Sequence, residues 1–279
     1  MDTMEASPLI SVIIPTYNRY PLLLEALESI RRQTYTHVEL IVVDDGSTDS
    51  TPELAGHPGM RYLRIDHCGK PGRVRNEGAL VSSGRLLAFL DSDDFWKPEK
   101  LEKQVRFLKE HPREPLCHTR EIWLRNGRIV SQSGQTHSRW GNIFEDCLKK
   151  CIIGPSTVLL DRELFFSIGM FNPDLEIAED YELWLRICGE NPVGYLDEAL
   201  TVKRGGHEDQ LSVKYGHIEY FRIVALLGVI EKGLISGENL TLARKELARK
   251  CRIHAQGCLK RRKEAEAARY FALSLRFRT

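Results

Sequence analysis

The chain has 279 residues, of which 42% are apolar and 28% charged, with a formal net charge of +1. That length carries one large α/β domain, with or without a small appendage, and the composition excludes disordered, fibrous and membrane-spanning classes. The charge is unevenly spread. Residues 241–279 hold 12 Lys and Arg against 3 Asp and Glu, while residues 1–240 hold 28 against 36. A basic appendage on an acidic body is the reading.

Seven scattered cysteines form no CxxC pair, which points to reduced thiols in a cytoplasmic setting rather than a zinc ribbon or disulfide framework. Residues 1–7 are polar and acidic and lack a leader pattern. The best apolar run, residues 223–230, is far too short for a bilayer span. The expectation is a cytoplasmic protein, at most peripheral at the inner face of the membrane.

In chain order, residues 9–14 form a short β-branched apolar run, as in a buried strand, ended by Pro15. Residues 21–33 place Leu23, Ala26, Leu27 and Ile30 at helical spacing. A second strand at 38–43 closes on Asp44-Asp45-Gly46-Ser47, and residues 48–54 are expected to open a helix with Pro52 in its first turn. Residues 60–65 read as a strand, 73–82 as a helix, and 86–90 as a strand running into Asp91-Ser92-Asp93-Asp94. This alternation is that of a parallel sheet covered on both faces, in which ligands bind beyond the carboxyl ends of the strands. Further on, 98–110 reads as a helix, 112–138 as short strands around Arg125-Asn126-Gly127, 157–160 as a strand, and 163–168 and 180–189 as helices. From Tyr215 onward the chain reads as helices interrupted near Gly233–Gly237.

The chemistry-bearing residues cluster at strand ends. Three acids in four residues at 91–94 repel one another unless a cation compensates them, and Mg or Mn takes such oxygen ligands; a solvated helix-capping turn is the plain alternative. Asp45 can accept from a nucleobase imide or a ribose hydroxyl, or simply serve the turn. Tyr17 can stack on a base and Arg19 can meet phosphate, in the loop Pro15-Thr16-Tyr17-Asn18-Arg19. Arg73 and Arg75 open a helix where backbone N–H groups favour an anion. Glu179 and Asp180 precede the apolar Tyr181, Leu183 and Trp184, so a partly desolvated carboxylate there suits a general base. His207, in a Gly-rich loop, is a candidate metal or phosphate contact. Neither a P-loop nor a G-x-G-x-x-G is present, which counts against a dinucleotide dehydrogenase.

The pieces SVIIPTYNR (11–19), QTYTHVELIVVDDGSTDST (33–51), RNEGA (75–79), LAFLDSDDFW (87–96) and EDYELWLR (179–186), taken in this order and spacing, resemble a family 2 glycosyltransferase of the GT-A fold. The resemblance implies an α/β catalytic domain over residues 9–213, with 9–96 holding the nucleotide and 97–213 the acceptor, between a tail at 1–8 and a helical extension at 214–279. It implies an inverting transferase that moves a sugar from a nucleotide-diphosphate sugar, UDP-linked by expectation, to an acceptor hydroxyl on a glycan or a lipid-linked carrier, in polysaccharide biosynthesis. By motif position, Pro15, Thr16, Tyr17, Arg19, Asp45, Arg75 and Asp93 would hold the donor. Asp94, with Asp93 and His207, would hold Mn or Mg, Asp91 would buttress the loop, and Asp180 would be the base. A sugar-nucleotide pyrophosphorylase would need a Gly-rich N-terminal loop that residues 11–20 lack, and an inactive nucleotide-sugar-binding or scaffolding protein of this fold would have no use for Asp93, Asp94 and Asp180 together.

Residues 215–279 match no motif. Leu240, Ala243, Leu247, Cys251 and His254 share a helical face, while Arg244, Lys245, Arg249, Lys250 and Arg252 line much of the remainder, ahead of Lys260-Arg261-Arg262-Lys263. The simpler reading is a helical pair packed on the catalytic domain or on a second subunit; the alternative is a helix lying on an anionic membrane. Nucleic-acid binding is not expected, because basic and aromatic residues do not interleave as in a known module.

Overall fold

The computed structural model describes residues 7–125, 127–130, 137–206 and 215–277. Its first half is built from β1 (Ile10–Thr16), α1 (Tyr20–Arg31), β2 (Val38–Asp44), β3 (Arg61–Arg64), α2 (Pro71–Leu80) and β4 (Leu86–Phe89). β1 pairs in parallel with both β2 and β4, and β2 with β3. Both faces of these strands are covered: Ile13, Ile41 and Val43 enter one core while Ile10, Val12, Ile14 and Val42 enter the other. That double burial is why the strands read as unbroken apolar runs.

The helix expected at 48–54 is only a 3-10 turn, Thr51–Leu54. The Asp49 carboxylate accepts from the backbone N–H of Tyr20 at 2.9 Å and of Thr51 at 3.0 Å. Such local side-chain bonds compete with the helical ladder, and here they tie the segment to the start of α1.

The second half is mixed. β5 (Phe95–Trp96), α3 (Lys100–Glu110), β6 (Leu116–Arg125), β7 (Arg128–Val130), α4 (Phe144–Lys149), β8 (Val158–Asp161), α5 (Arg162–Ser167), α6 (Glu179–Glu190) and β9 (Gly194–Gly205) follow in order. The sheet runs β3-β2-β1-β4-β8-β6-β9-β5, with β7 attached to β6. β8 joins the two halves by antiparallel pairing with both β4 and β6. β9 runs parallel to β6 with a register shift that sets Thr119 opposite Leu196 but Arg120 opposite Ala199, so Asp197 and Glu198 bulge out of the ladder. β5 pairs antiparallel with Val202 and Thr201 of β9, which folds the chain after Asp94 under the end of β9.

The C-terminal part forms α7 (Ile218–Glu231), α8 (Gly237–Lys260) and α9 (Glu264–Arg276). Ala243, Leu247, Cys251 and Ala255 of α8 share one core with Ile223, Leu226, Val229 and Ile230 of α7 and with residues of α4 and α6. The apolar face of the extension is therefore spent on the body of the protein, as in the packed reading. Lys250, grouped by sequence with the charged face, is instead buried; its Nζ donates to the Lys149 carbonyl and to Glu219, both at 2.9 Å. Among the described residues, no helix is long and apolar enough to cross a membrane.

One glycine is critical to the placement of α2. A Cβ on Gly78 would sit 2.5 Å from Cγ2 of Ile13 and 3.0 Å from Cγ2 of Val43, both fully buried strand residues. Gly78→Ala is expected to destabilise the protein by about 1–3 kcal/mol through overpacking, read as a lowered denaturation midpoint. An unchanged midpoint would show that α2 moves off the sheet at no cost.

Candidate active site

The carboxyl ends of β1, β2 and β4 open into one cleft of about 630 Å³. Pro15, Thr16, Tyr17, Arg19, Asp45, Arg75, Asp93, Asp94 and Asp180 all line it. His207 lies outside the described residues.

At one end, Asp45 is buried at the tip of β2, and its carboxylate accepts from the backbone N–H groups of Cys68 at 2.8 Å and Gly69 at 2.9 Å. His67 Nδ1 lies 2.9 Å from the same side chain, and its ring stacks on Tyr17 with centroids 4.1 Å apart. Tyr17 is 41% exposed, so the stacked pair leaves an open aromatic face beside Asp45. This is a polar acceptor next to a flat apolar surface, the combination that a heterocyclic base requires.

In the middle lies Asp91-Ser92-Asp93-Asp94. Asp93 pairs with Arg19 at 2.7 Å. Asp94 accepts from Ser156 Oγ at 2.6 Å and from the Arg204 backbone N–H at 3.1 Å. Burial holds the Asp94 carboxyl well above its usual range, and the neighbouring Asp93 and Asp91 add to the shift while Lys203 opposes it. Asp91 goes the other way despite its burial, because Arg75 and Lys203 hold it below the usual range.

Arg75 is the hub. Its two terminal nitrogens each donate at 2.6 Å, one to Asp91 and one to Glu179, and its Nε has no partner. Burial pushes the Glu179 carboxyl up to about 7, with Arg75 opposing and Asp180 adding. The guanidinium expected to reach a nucleotide is thus committed to two carboxylates. The adjoining Asn76 exchanges two hydrogen bonds with the backbone of Phe171, at 2.8 and 3.1 Å, anchoring the segment that leads into α6.

Asp180 stands on the first turn of α6, after Ala178 in the left-handed region at φ 64°. Strain of this kind in a non-glycine residue persists only where surroundings enforce it, and it gathers at functional sites. One Asp180 oxygen accepts from the Tyr181 N–H at 2.7 Å; the other lies 3.4 Å from Cys151 Sγ.

Sequence reasoning missed several cleft residues. Lys203 on β9 is a partly buried ammonium; burial lowers its pKa, but the charges of Glu121, Asp94, Asp91 and Asp180 outweigh that and raise it. Glu121 and Trp123 reach the cleft from β6, and their side chains are joined by a 2.6 Å bond from Trp123 Nε1. Gly154 permits this packing, since a Cβ there would lie 3.0 Å from Glu121 Oε2 and 3.1 Å from Lys203 Nζ. Ile218 and Arg222 of α7 also line the cleft, so the extension contributes to its wall. The one available signal was the alternation Leu200, Val202 against Thr201, Lys203, and the bulge at Asp197-Glu198 conceals it.

The donor set suits a hard divalent cation. Asp93 and Asp94 line the cleft at a strand end with carboxylate oxygens; burial and the neighbouring acids raise the Asp94 carboxyl, a cost that Mg or Mn bound there would offset. Among the described residues no third acid, His or Cys ligand atom converges with them, which leaves coordination positions for substrate oxygens.

Known proteins bear on this arrangement. The chain spans about a third of the length of an "Uncharacterized glycosyltransferase" of Rickettsia felis, being 33% identical to it over 199 residues, or 70% of this chain and 33% of that protein. It is 32% identical over 195 residues, 68% of this chain and 73% of the other, to the UDP-Glc:alpha-D-GlcNAc-diphosphoundecaprenol beta-1,3-glucosyltransferase WfgD of Escherichia coli. Its fold matches that of S. aureus TarS 1–349, solved in complex with UDP-GlcNAc, with a TM-score of 0.71 at 24% identity, covering 88% of this chain and 72% of that one. The family model "Glycosyl transferase family 2" matches residues 11–165. With the strand-end carboxylates and the α6 acid gathered in one cleft of GT-A type, the chain belongs to glycosyl transferase family 2.

Proposed function

We propose that the protein is an inverting glycosyltransferase that moves a sugar from a UDP-linked donor to an acceptor hydroxyl, with Mn or Mg held by Asp94 and Asp93. The observation that carries this reading is the convergence of Asp45, Asp93, Asp94 and Asp180 on one cleft of about 630 Å³, a size suited to a nucleotide sugar. The relatives support it: WfgD is named for a UDP-glucose donor and the TarS complex for UDP-GlcNAc.

In this mechanism Tyr17 and His67 give the base a stacking surface, and Asp45 accepts its N–H. The acceptor oxygen attacks the anomeric carbon from the side opposite the diphosphate, and Asp180 takes the hydroxyl proton on the oxygen facing Cys151. The bond to the diphosphate breaks with its electron pair on the leaving oxygen. Lys203 lies close enough to Asp94 to meet that growing negative charge. A bound divalent cation supplies Lewis-acid stabilisation of the same charge. One displacement of this kind needs no enzyme nucleophile.

The reading extends to the basic helices. Exposed Ile253, Leu259 and Leu275 stand near Arg252, Lys260 and Arg276, a composition suited to contact with an anionic membrane that carries a lipid-linked acceptor. Sedimentation with phosphatidylglycerol vesicles at low salt is expected to capture the protein and high salt to release it. No capture at low salt removes this part of the reading. Truncation is the wrong test, since α8 is part of the core.

Asp94→Asn, and EDTA added to the unaltered protein, are each expected to abolish transfer nearly completely; full activity in EDTA overturns the metal assignment. Asp180→Asn is expected to lower transfer by about two to four orders of magnitude, the scale of a lost general base, while donor binding stays near normal. Asp45→Ala is expected to do the reverse, weakening UDP binding in calorimetry. If UDP affinity instead collapsed in Asp180→Asn and survived Asp45→Ala, the two roles would be exchanged.

A further inference from the structure

The C-terminal helices bring together three metal-ligating side chains that the transfer reaction does not use. His254 and Cys258 stand four residues apart on α8, a spacing that sets two side chains on one helical face. Glu266 comes from the first turn of α9. Between them Arg262 takes the left-handed conformation at φ 58°, and the Lys263 N–H returns to the Cys258 carbonyl at 3.0 Å. This tight turn ends α8 and brings α9 back against it. One ligand atom from each residue, an imidazole nitrogen, a sulfur and a carboxylate oxygen, lies within 4.8 Å of the other two.

The set has the dimensions of a zinc site. Zn–N and Zn–O bonds of about 2.0–2.1 Å in a tetrahedron put nitrogen and oxygen about 3.3 Å apart, and a Zn–S bond of about 2.3 Å widens the sulfur edges slightly. His254 Nε2 is 3.4 Å from Glu266 Oε1, long for a hydrogen bond but close to that edge. Cys258 is fully buried, whereas the Glu266 side chain is 36% exposed, which leaves a path from solvent. Two cations touch the same side chains. Lys263 takes the other Glu266 oxygen at 3.3 Å, and Arg261 donates to Cys258 Sγ at 3.6 Å. An N–H aimed at the sulfur favours the thiolate that a metal needs. Zinc bound to one thiolate and one carboxylate is a neutral unit, so the basic surroundings oppose it less than a dication on neutral ligands. Thiolate and imidazole also select zinc over the Mg or Mn suited to Asp93 and Asp94. Without a metal, the same contacts amount to one long His–Glu bond beside an inert buried thiol.

We propose that His254, Cys258 and Glu266 form a zinc site, separate from the cleft, that staples α9 to α8. His254 gives Nε2, Glu266 gives Oε1, and Cys258 gives its sulfur after releasing the thiol proton to solvent. Water fills the fourth position. The role is structural: α8 is the helix whose Lys250 holds Lys149 and Glu219, so the staple tightens the support behind the cleft.

The test uses the full chain, stripped of metal and then given UDP and excess MgCl₂ so that a hard ion competes for the cleft. One equivalent of CoCl₂ is expected to produce the sulfur-to-metal charge-transfer absorption and intense visible bands of a tetrahedral thiolate site, and one equivalent of ZnCl₂ to erase both. ZnCl₂ is also expected to raise the thermal midpoint. Cys258→Ser is expected to abolish the charge-transfer absorption. His254→Gln and Glu266→Gln are expected to weaken zinc binding by about a hundredfold or more, since even the loss of an outer partner costs about 10–100-fold. Circular dichroism of each metal-free variant reports separately on folding, and the partly exposed position of Glu266 makes Glu266→Gln the variant that keeps the fold. No sulfur-to-cobalt absorption, an absorption that survives Cys258→Ser, or zinc affinity unchanged in Glu266→Gln overturns the proposal.

Discussion

The buried guanidinium of Arg75 is the interaction on which the rest of the site depends. It stands on α2, yet its two ends fix the loop after β4 through Asp91 and the first turn of α6 through Glu179. Those segments are far apart in sequence, and each carries a proposed reactive group, Asp94 on one and Asp180 on the other. Removing one partner of a buried, hydrogen-bonded ion pair costs about 3–5 kcal/mol, because the other charge is left uncompensated. The pairing therefore does more for geometry than for net stability. Asn76 reinforces it one residue later by clasping the Phe171 backbone, and Gly78 lets α2 lie close enough to the sheet for both residues to reach. Three residues within about one turn of α2 thus determine how the two halves of the cleft face each other.

Charge balance in the cleft follows from that arrangement. Asp91 is fully compensated by Arg75 and Lys203, and Asp93 has Arg19. Asp94 is left with hydroxyl and amide donors and the field of Lys203 but no ion pair of its own among the described residues, so burial dominates and its carboxyl resists ionisation. Of the three acids in the loop, the one lacking a dedicated cation is the one proposed as the principal metal ligand. The distribution is what a site built to receive a divalent ion should show, since a permanent salt bridge at Asp94 would compete with it.

Much of the donor end was legible in the sequence because it is local. β1, β2 and β4 are short apolar runs that stop at polar turns, and the acids sit at the stops, so strand order and crevice follow from one rule. What was not legible depends on contacts across long separations. Arg75 reads as an anion-binding residue at a helix start, and only the folded chain shows that Glu179, more than a hundred positions away, claims it. Lys203 was hidden because β9 breaks its alternation at Asp197-Glu198, where the extra residues bulge out of register with β6. Residues 48–54 carried a good capping pattern, but Asp49 spends its carboxylate on two backbone N–H groups and holds the segment to one short turn.

The basic C-terminus shows the same limit from the other side. Composition alone sets an apolar face against a charged one and leaves open what covers the apolar face. The answer lies in Lys250, which no pattern distinguishes from Lys245 or Arg249, yet which is buried with its ammonium on the Lys149 carbonyl and on Glu219. Lys149 ends α4, and Lys150 beyond it enters the cleft; Glu219 opens α7, and Arg222 one turn later enters the same cleft. A single buried lysine therefore anchors the two segments that bring these side chains to the cleft. The extension is thus part of the wall of the site, and any change that loosens α8 should be felt first in how the acceptor is held rather than in how the donor binds.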